Sequence, residues 1–152
     1  MAKSGIQNLQ GFQKKLKKRI VDNPEKHLKQ LVQRSTTIVE GHAKQSIMKG
    51  GTGITYQKYN PRRQHTASAK GEPPATDTGF LVSNITSSVK QQGTTVVGQI
   101  VASAPYAPYL EFGTSTIDPR PFMQPALERN RPKIKRIFKK IFLFYKWKYK
   151  NN

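Results

Sequence analysis

Between residues 24 and 48 the apolar positions follow a helical period. Leu28, Leu31, Val32, Ile38, Val39 and Ile47 fall on one stripe, the spacing that places side chains on one face of a 3.6-residue helix. Asn23-Pro24 supplies an N-cap and a first helical residue, and Gly50-Gly51 a stop. The pattern predicts a long helix of about 25 residues that packs across a sheet. Upstream, Ile6, Leu9, Gln13, Leu16 and Ile20 keep a 3-4-3-4 spacing, with Lys14, Lys15, Lys17, Lys18 and Arg19 largely around them. Residues 1–22 therefore read as a basic amphipathic arm, weakened at Gly11 by roughly 1 kcal/mol relative to alanine.

Periodicity disappears from 50 to 79, where Gly, Pro, Ser and Thr gather. The expectation is a long loop with at most a short strand at Ile54-Thr55-Tyr56. A loop of about thirty residues is functional or disordered far more often than idle. Phe80 and Leu81 then suggest a short helix that carries both into the core. Ile85, Ser87 and Val89 alternate with polar neighbours. Gln91-Gln92-Gly93-Thr94 turns the chain, and Val97 and Val101 alternate with Val96, Ile100 and Ala102. That is an antiparallel hairpin. Both faces of its second strand are apolar, so that strand is expected to be central or pinned beneath a helix. Tyr106, Tyr109 and Leu110 stand at i, i+3 and i+4, which predicts a short helix showing all three on one face and ending at Gly113. Asp118 is placed to cap the next helix. Ile134, Ile137, Phe138, Ile141, Phe142 and Tyr145 mark a last helix with a basic outer face. Beyond it Tyr145, Trp147 and Tyr149 alternate with Lys146, Lys148 and Lys150. The class is α+β: a small antiparallel sheet packed by a long N-terminal helix, with a short helix and a C-terminal helix after it.

Charge changes the picture. The 152 residues carry 27 basic and 8 acidic side chains, a net +19. Residues 1–49 contribute +8, residues 50–125 only +2, and residues 126–152 +9. The middle is nearly neutral and the ends carry the field. Lysine stems cover apolar surface while their heads stay wet, so a basic face does not demand a partner. Nucleic acid or acidic lipid is the functional alternative for such ends. The DNA-facing candidates are Lys14, Lys15, Lys17, Lys18 and Arg19 in the arm and Lys139, Lys140, Lys146 and Lys148 at the other end. The chain has no cysteine, hence no disulfide framework or thiolate site. No apolar run approaches the length that spans a bilayer. The expectation is one domain, residues 1–152, working in the cytoplasm.

Chemistry narrows it further. The carboxylates are Asp22, Glu25, Glu40, Glu72, Asp77, Glu111, Asp118 and Glu128, and no two show an acid–base spacing. His27, His42 and His65 lack ligand spacing, so neither a metal nor a cofactor is expected. Lys49-Gly50-Gly51-Thr52-Gly53 lacks the Gly-Lys-Ser/Thr ending of a phosphate loop and follows a helix, so it reads as a helix stop. Nothing names a substrate, and the reading is a non-enzyme.

One stretch is more specific. Tyr106-Ala-Pro-Tyr109-Leu-Glu111-Phe112-Gly113-Thr114, followed by Pro119-Arg120-Pro121-Phe122 and Pro125-Ala126-Leu127, resembles the signature of a minor tail, or neck, protein family of long-tailed bacteriophages. A second block accompanies it: Gly71-Glu72-Pro73-Pro74-Ala75, then Thr78-Gly79-Phe80-Leu81 and Ile85. The resemblance covers roughly residues 71–127, so residues 80–127 read as a family-like core followed by a basic C-terminal helix and tail, 128–152. It implies a virion structural protein of the head–tail connector or tail end, assembled in the host cytoplasm as a homo-oligomeric ring. Its implied partners are other neck, connector or tail-tube proteins, with non-specific contact to the genome passing nearby. Interface candidates are Tyr56, Tyr59, Arg62 and Arg63 in the loop, and Tyr106, Tyr109, Glu111, Phe112, Gly113, Thr114, Arg120, Pro121 and Phe122 in the signature. Glu111 and Arg120 flank the Gly-Thr turn. They form either an ion pair within the subunit or a contact between subunits. The competing function is a basic nucleic-acid-binding protein that uses its lysine-rich aromatic termini.

Overall fold

The computed structural model describes Gly11 and residues 24–150, with side chains from residue 25 to 139 and Phe142. The arm's stripe, Lys14, Lys15, Lys17, Lys18 and Arg19, and the side chains of Lys140, Lys146 and Lys148, lie outside the described residues.

Helix α1 runs Pro24–Met48, as its stripe predicts. Its most buried positions are Ser35, Thr36, Val39, Ala43 and Ile47, a face centred slightly away from the apolar letters. The two hydroxyls are satisfied locally: Ser35 Oγ donates to the Leu31 carbonyl at 2.8 Å and Thr36 Oγ1 to the Gln33 carbonyl at 2.9 Å. Bonded this way, they can be buried without a desolvation penalty.

Strands β1 (Thr55–Tyr59) and β2 (Arg62–Thr66) form one two-stranded antiparallel ribbon. Helix α2 is a single turn, Phe80–Ser83. Strands β3 (Ile85–Gln92) and β4 (Thr95–Ala102) form a second hairpin across Gly93, whose φ of 58° suits the tight turn. Helix α3 spans Ala107–Phe112, and α4 spans Met123–Lys150. The class is α+β, as the pattern predicts. The ribbon is the difference: beyond the short strand expected at Ile54-Thr55-Tyr56, which β1 overlaps, the sequence shows a loop there, because β1 and β2 carry polar letters on both faces.

The inner face of the second hairpin packs on α1. Ile85 opposes Ala102, Ser87 opposes Ile100 and Val89 opposes Gly98. A Cβ at Gly98 would lie 2.5 Å from Thr36 Cγ2 and 2.7 Å from Val32 Cγ1, so the glycine lets strand and helix approach closely. Ser87 Oγ donates to Glu40 at 2.5 Å, and Lys44 Nζ bonds the same carboxylate at 2.7 Å. These two donors, Lys44 first, hold the Glu40 carboxyl below its ordinary range. The core joins α1 to Leu81, Ile85, Ala104, Ala107, Phe122 and Ala126. Each large apolar side chain buried there contributes about 1.5–3 kcal/mol. Helix α4 lies on α1, and Asn130 Nδ2 donates to His42 Nδ1 at 2.7 Å and to the Ala126 carbonyl at 2.8 Å. His42 is thus a helix-to-helix contact.

One expectation changes here. Leu81 enters the core, but Phe80 stays half-exposed and packs on the Tyr106 ring at a centroid distance of 6.2 Å. Strand β4 takes the second of its two expected places, beneath a helix: among the described residues it pairs with β3 alone, α1 covers its inner face, and Val97 and Val101 on the outer face stay exposed.

Candidate functional site

The signature folds into a helix–loop–helix joint. Ala107 and Leu110 turn α3 inward, and Tyr106, Tyr109 and Phe112 turn outward. The expected face of Tyr106, Tyr109 and Leu110 therefore splits, because the small Ala107 is what fits against the core. Gly113 ends α3 with a φ of 74°, and a Cβ on it would meet the Ile117 carbonyl at 2.7 Å. The loop closes on itself: Thr114 N–H donates to the Ile117 carbonyl, and Thr114 Oγ1 accepts from the N–H groups of Thr116 and Ile117.

Glu111 does not pair with Arg120. Its carboxylate accepts the backbone N–H groups of Phe122, Met123 and Gln124 at 2.8, 3.0 and 2.8 Å. It caps α4 from a different helix, satisfying donors that have no partner within α4 and placing a negative charge at the positive end of its dipole. Asp118, the expected cap, pairs instead with Lys70 at 3.0 Å. Arg120 donates from Nη1 to Ser68 Oγ at 2.6 Å, and its backbone N–H donates to the Leu110 carbonyl at 2.7 Å. The pair of charges flanking the turn is thus split between two tasks. Glu111 joins α3 to α4, and Arg120 joins the signature to the segment after the ribbon. Phe122, an interface candidate by its place in the signature, is a core residue at 1% exposure. Pro121 is half-buried beside it.

An open apolar groove of about 530 Å³ lies along β4, α3 and the start of α4. Val39 forms its floor, Ile100 and Ala102 one wall, and Phe112, Met123 and Leu127 the other. Phe112 is 77% exposed at its rim. Gly98, Ile100 and Ala102 of β4 line this groove and no residue of β3 does; among the described residues β4 has β3 as its one strand partner.

The ribbon is tied down through Arg63, an interface candidate that the structure turns inward, and through Lys58, His65 and Asp77, which the sequence did not place in a site. Asp77 receives Lys58 Nζ, Arg63 Nη2 at 2.5 Å and, more distantly, His65 Nδ1 at 3.8 Å. The Lys58 ammonium, bonded directly, holds the Asp77 carboxyl below its ordinary range, and Arg63 adds to this. Glu72 accepts from Thr52 Oγ1 at 2.6 Å and from the Ala69 and Thr52 N–H groups, which lowers it likewise. Tyr56, Tyr59 and Arg62 stay exposed, with Tyr59 at 81%. The only signal for this hub was two acids, Glu72 and Asp77, within a basic, period-free stretch.

A depressed carboxylate stabilises the folded state above its unfolded value and loses that contribution as pH falls through the depressed value. The tie between ribbon and body is accordingly complete at neutral pH and lost in acid, below the ordinary aspartate range. Asp77→Asn should mimic that loss at neutral pH. Trypsin should then cut after Lys58, Arg62 or Arg63 several-fold faster, with little change in global melting, because an exposed network governs local opening more than the core. Cleavage time courses check this.

Among the described residues no group of three or more His, Cys, Asp or Glu could hold a metal ion, and no helix is long and apolar enough to cross a membrane. The model of the family described as "Bacteriophage HK97-gp10, putative tail-component" matches residues 10–113. The chain belongs to this family of bacteriophage tail components. No curated protein and no solved structure matches it. The matched span runs through α1, both hairpins and α3 and stops at Gly113, so Arg120 and all of α4 lie beyond it.

Proposed function

We propose that this tail component works at the head–tail junction or tail end of a long-tailed phage, as a single-domain subunit of a homo-oligomeric ring. Its task is docking rather than catalysis. The observation that carries this reading is the apolar surface a lone subunit leaves uncovered. Phe112 and Leu127 lie open along the groove, Tyr109 is exposed on the same short helix as Phe112, and among the described residues β4 has a strand on one side only. An exposed strand edge beside apolar surface invites a second chain. A second copy is the occupant this reading assigns. A contact between two different patches, repeated by rotation, closes into a ring. The ribbon, with Tyr56, Tyr59 and Arg62 outward, supplies a complementary surface for a neighbour or for connector and tail-tube proteins.

The expected result for a phage lacking this gene is unjoined heads and tails, or tails of defective end structure, with few infectious particles. Heads should still hold DNA, since the protein contributes no chemistry to packaging. Adding wild-type protein to the lysate should restore some joining. Electron microscopy with plaque counts before and after addition measures both. Normal joined virions in the mutant lysate would remove the junction assignment, and a single copy per virion would remove the ring.

A further inference from the structure

We infer that the outer face of α4 binds the phosphate backbone of duplex nucleic acid. The inner face of this helix is fixed by Ala126, Asn130 and Ile134 against α1. Lys135, Arg136 and Lys139 then stand on the opposite face and Arg129, Arg131 and Lys133 on its flanks, all exposed. The family match stops before this helix, and the sequence candidates included only Lys139 of the six. None of the six has an ion pair among the described residues; the helix's one nearby acid, Glu128, is bonded to Gln124.

Six like charges over eleven residues occupy about 15 Å of helix. That array repels itself, and i, i+4 neighbours of one sign destabilise a helix. An extended polyanion removes the repulsion. Duplex DNA presents one charge per about 1.7 Å of axis and gains entropy by releasing its counterions. The three arginines offer forked donors that suit phosphate oxygens.

The same face disfavours other partners. A bilayer surface takes an amphipathic helix through its apolar side, and over the turns from Ala126 to Ile134 that side is packed on α1. A protein partner needs an apolar centre within the patch, whereas between 129 and 139 the only exposed non-cationic residue is Pro132. Single strands need aromatic platforms for their bases, and this stretch of the outer face has none. Backbone contacts alone make the binding blind to sequence.

The assignment stands apart from the junction reading, because purified full-length protein tests it without a virion. Fluorescence anisotropy with short duplex DNAs of two unrelated sequences, across a salt series, is the measurement. We compare Arg129→Glu/Arg136→Glu with Lys49→Glu/Lys90→Glu, which makes the same change in net charge on other elements. Both retain the lysines of the two ends. The expected result is equal affinity for both sequences. The α4 pair should weaken binding at least about tenfold more than the control pair and lower the salt slope by about two. Circular dichroism checks folding. Should the reversal misfold, Lys133→Gln/Lys135→Gln removes two charges without adding any and should also flatten the slope by about two. Equal losses for the α4 and control pairs would overturn the assignment, as would no duplex binding at low salt. Binding to phosphatidylserine vesicles in preference to duplex would overturn it too. Equal binding of an RNA duplex supports it, since the phosphate chemistry is shared.

Discussion

Glu111→Ala should lower the stability of the fold by about 2–3 kcal/mol, more than an ordinary helix cap accounts for. The side chain is half-buried, and its carboxylate accepts the N–H groups of Phe122, Met123 and Gln124. A cap within one helix satisfies local donors. This one reaches back from α3, so its loss also unties α3 from α4. Orphaned donors in a partly buried site carry their full desolvation cost. Glu111→Gln keeps the shape and an acceptor oxygen but loses the charge, so it should cost less, about 1–2 kcal/mol. Urea unfolding of both variants gives the order. If Glu111→Ala unfolds at the wild-type midpoint, the Glu111 carboxylate is not what holds the start of α4.

The same residue shows where sequence reading stops. The spacing of Leu28 through Ile47 fixes α1, and alternation on either side of Gly93 fixes the second hairpin. Both are local periods, legible because one face of each is buried. Glu111 was legible as important but not in its role. Its bonds reach residues eleven to thirteen positions away, and no period encodes a turn that brings the next helix's start back onto it. Charge sign suggested Arg120 as its mate. The geometry gives Arg120 to Ser68, 52 residues earlier, a contact that exists only once the ribbon segment has folded under the signature. The ribbon, beyond a short strand at residues 54–56, was invisible for a different reason. Its strands are held by pairing and by Asp77 rather than by burial, so they leave no hydrophobic alternation. Ser35, Thr36 and Gly98 were also missed, because they serve by being small. At the joint, the core took Phe122 and Ala107 while the tyrosines stayed outside, a division that volume decides and letter type does not.

Phe112 and Phe122 give the sharpest separation of folding from docking. They are the same residue type, ten positions apart, on either side of Gly113. Phe122 is 1% exposed and sits among Ala43, Ile47, Ala107 and Ala126 in the core. Phe122→Ala should cost about 3–5 kcal/mol, since the lost transfer energy is joined by the cavity left behind. Such a loss consumes much of the stability a domain of this size commonly holds, so this variant should be poorly soluble or melt well below wild type. Phe112 is mostly exposed at the groove's rim. Phe112→Ala should stay within about 0.5 kcal/mol of wild type in unfolding, as surface substitutions do. Its effect should fall on assembly instead. An aromatic anchor at the centre of a contact is typically worth about 2 kcal/mol or more, and a ring repeats the loss at every junction. Phe112→Ala should therefore fold normally and yet fail to restore joining when added to a lysate lacking the protein. Paired unfolding curves and complementation titres measure the two quantities separately. A Phe112→Ala protein that restores joining as well as wild type would take the groove out of the docking surface and leave the ribbon as its main element.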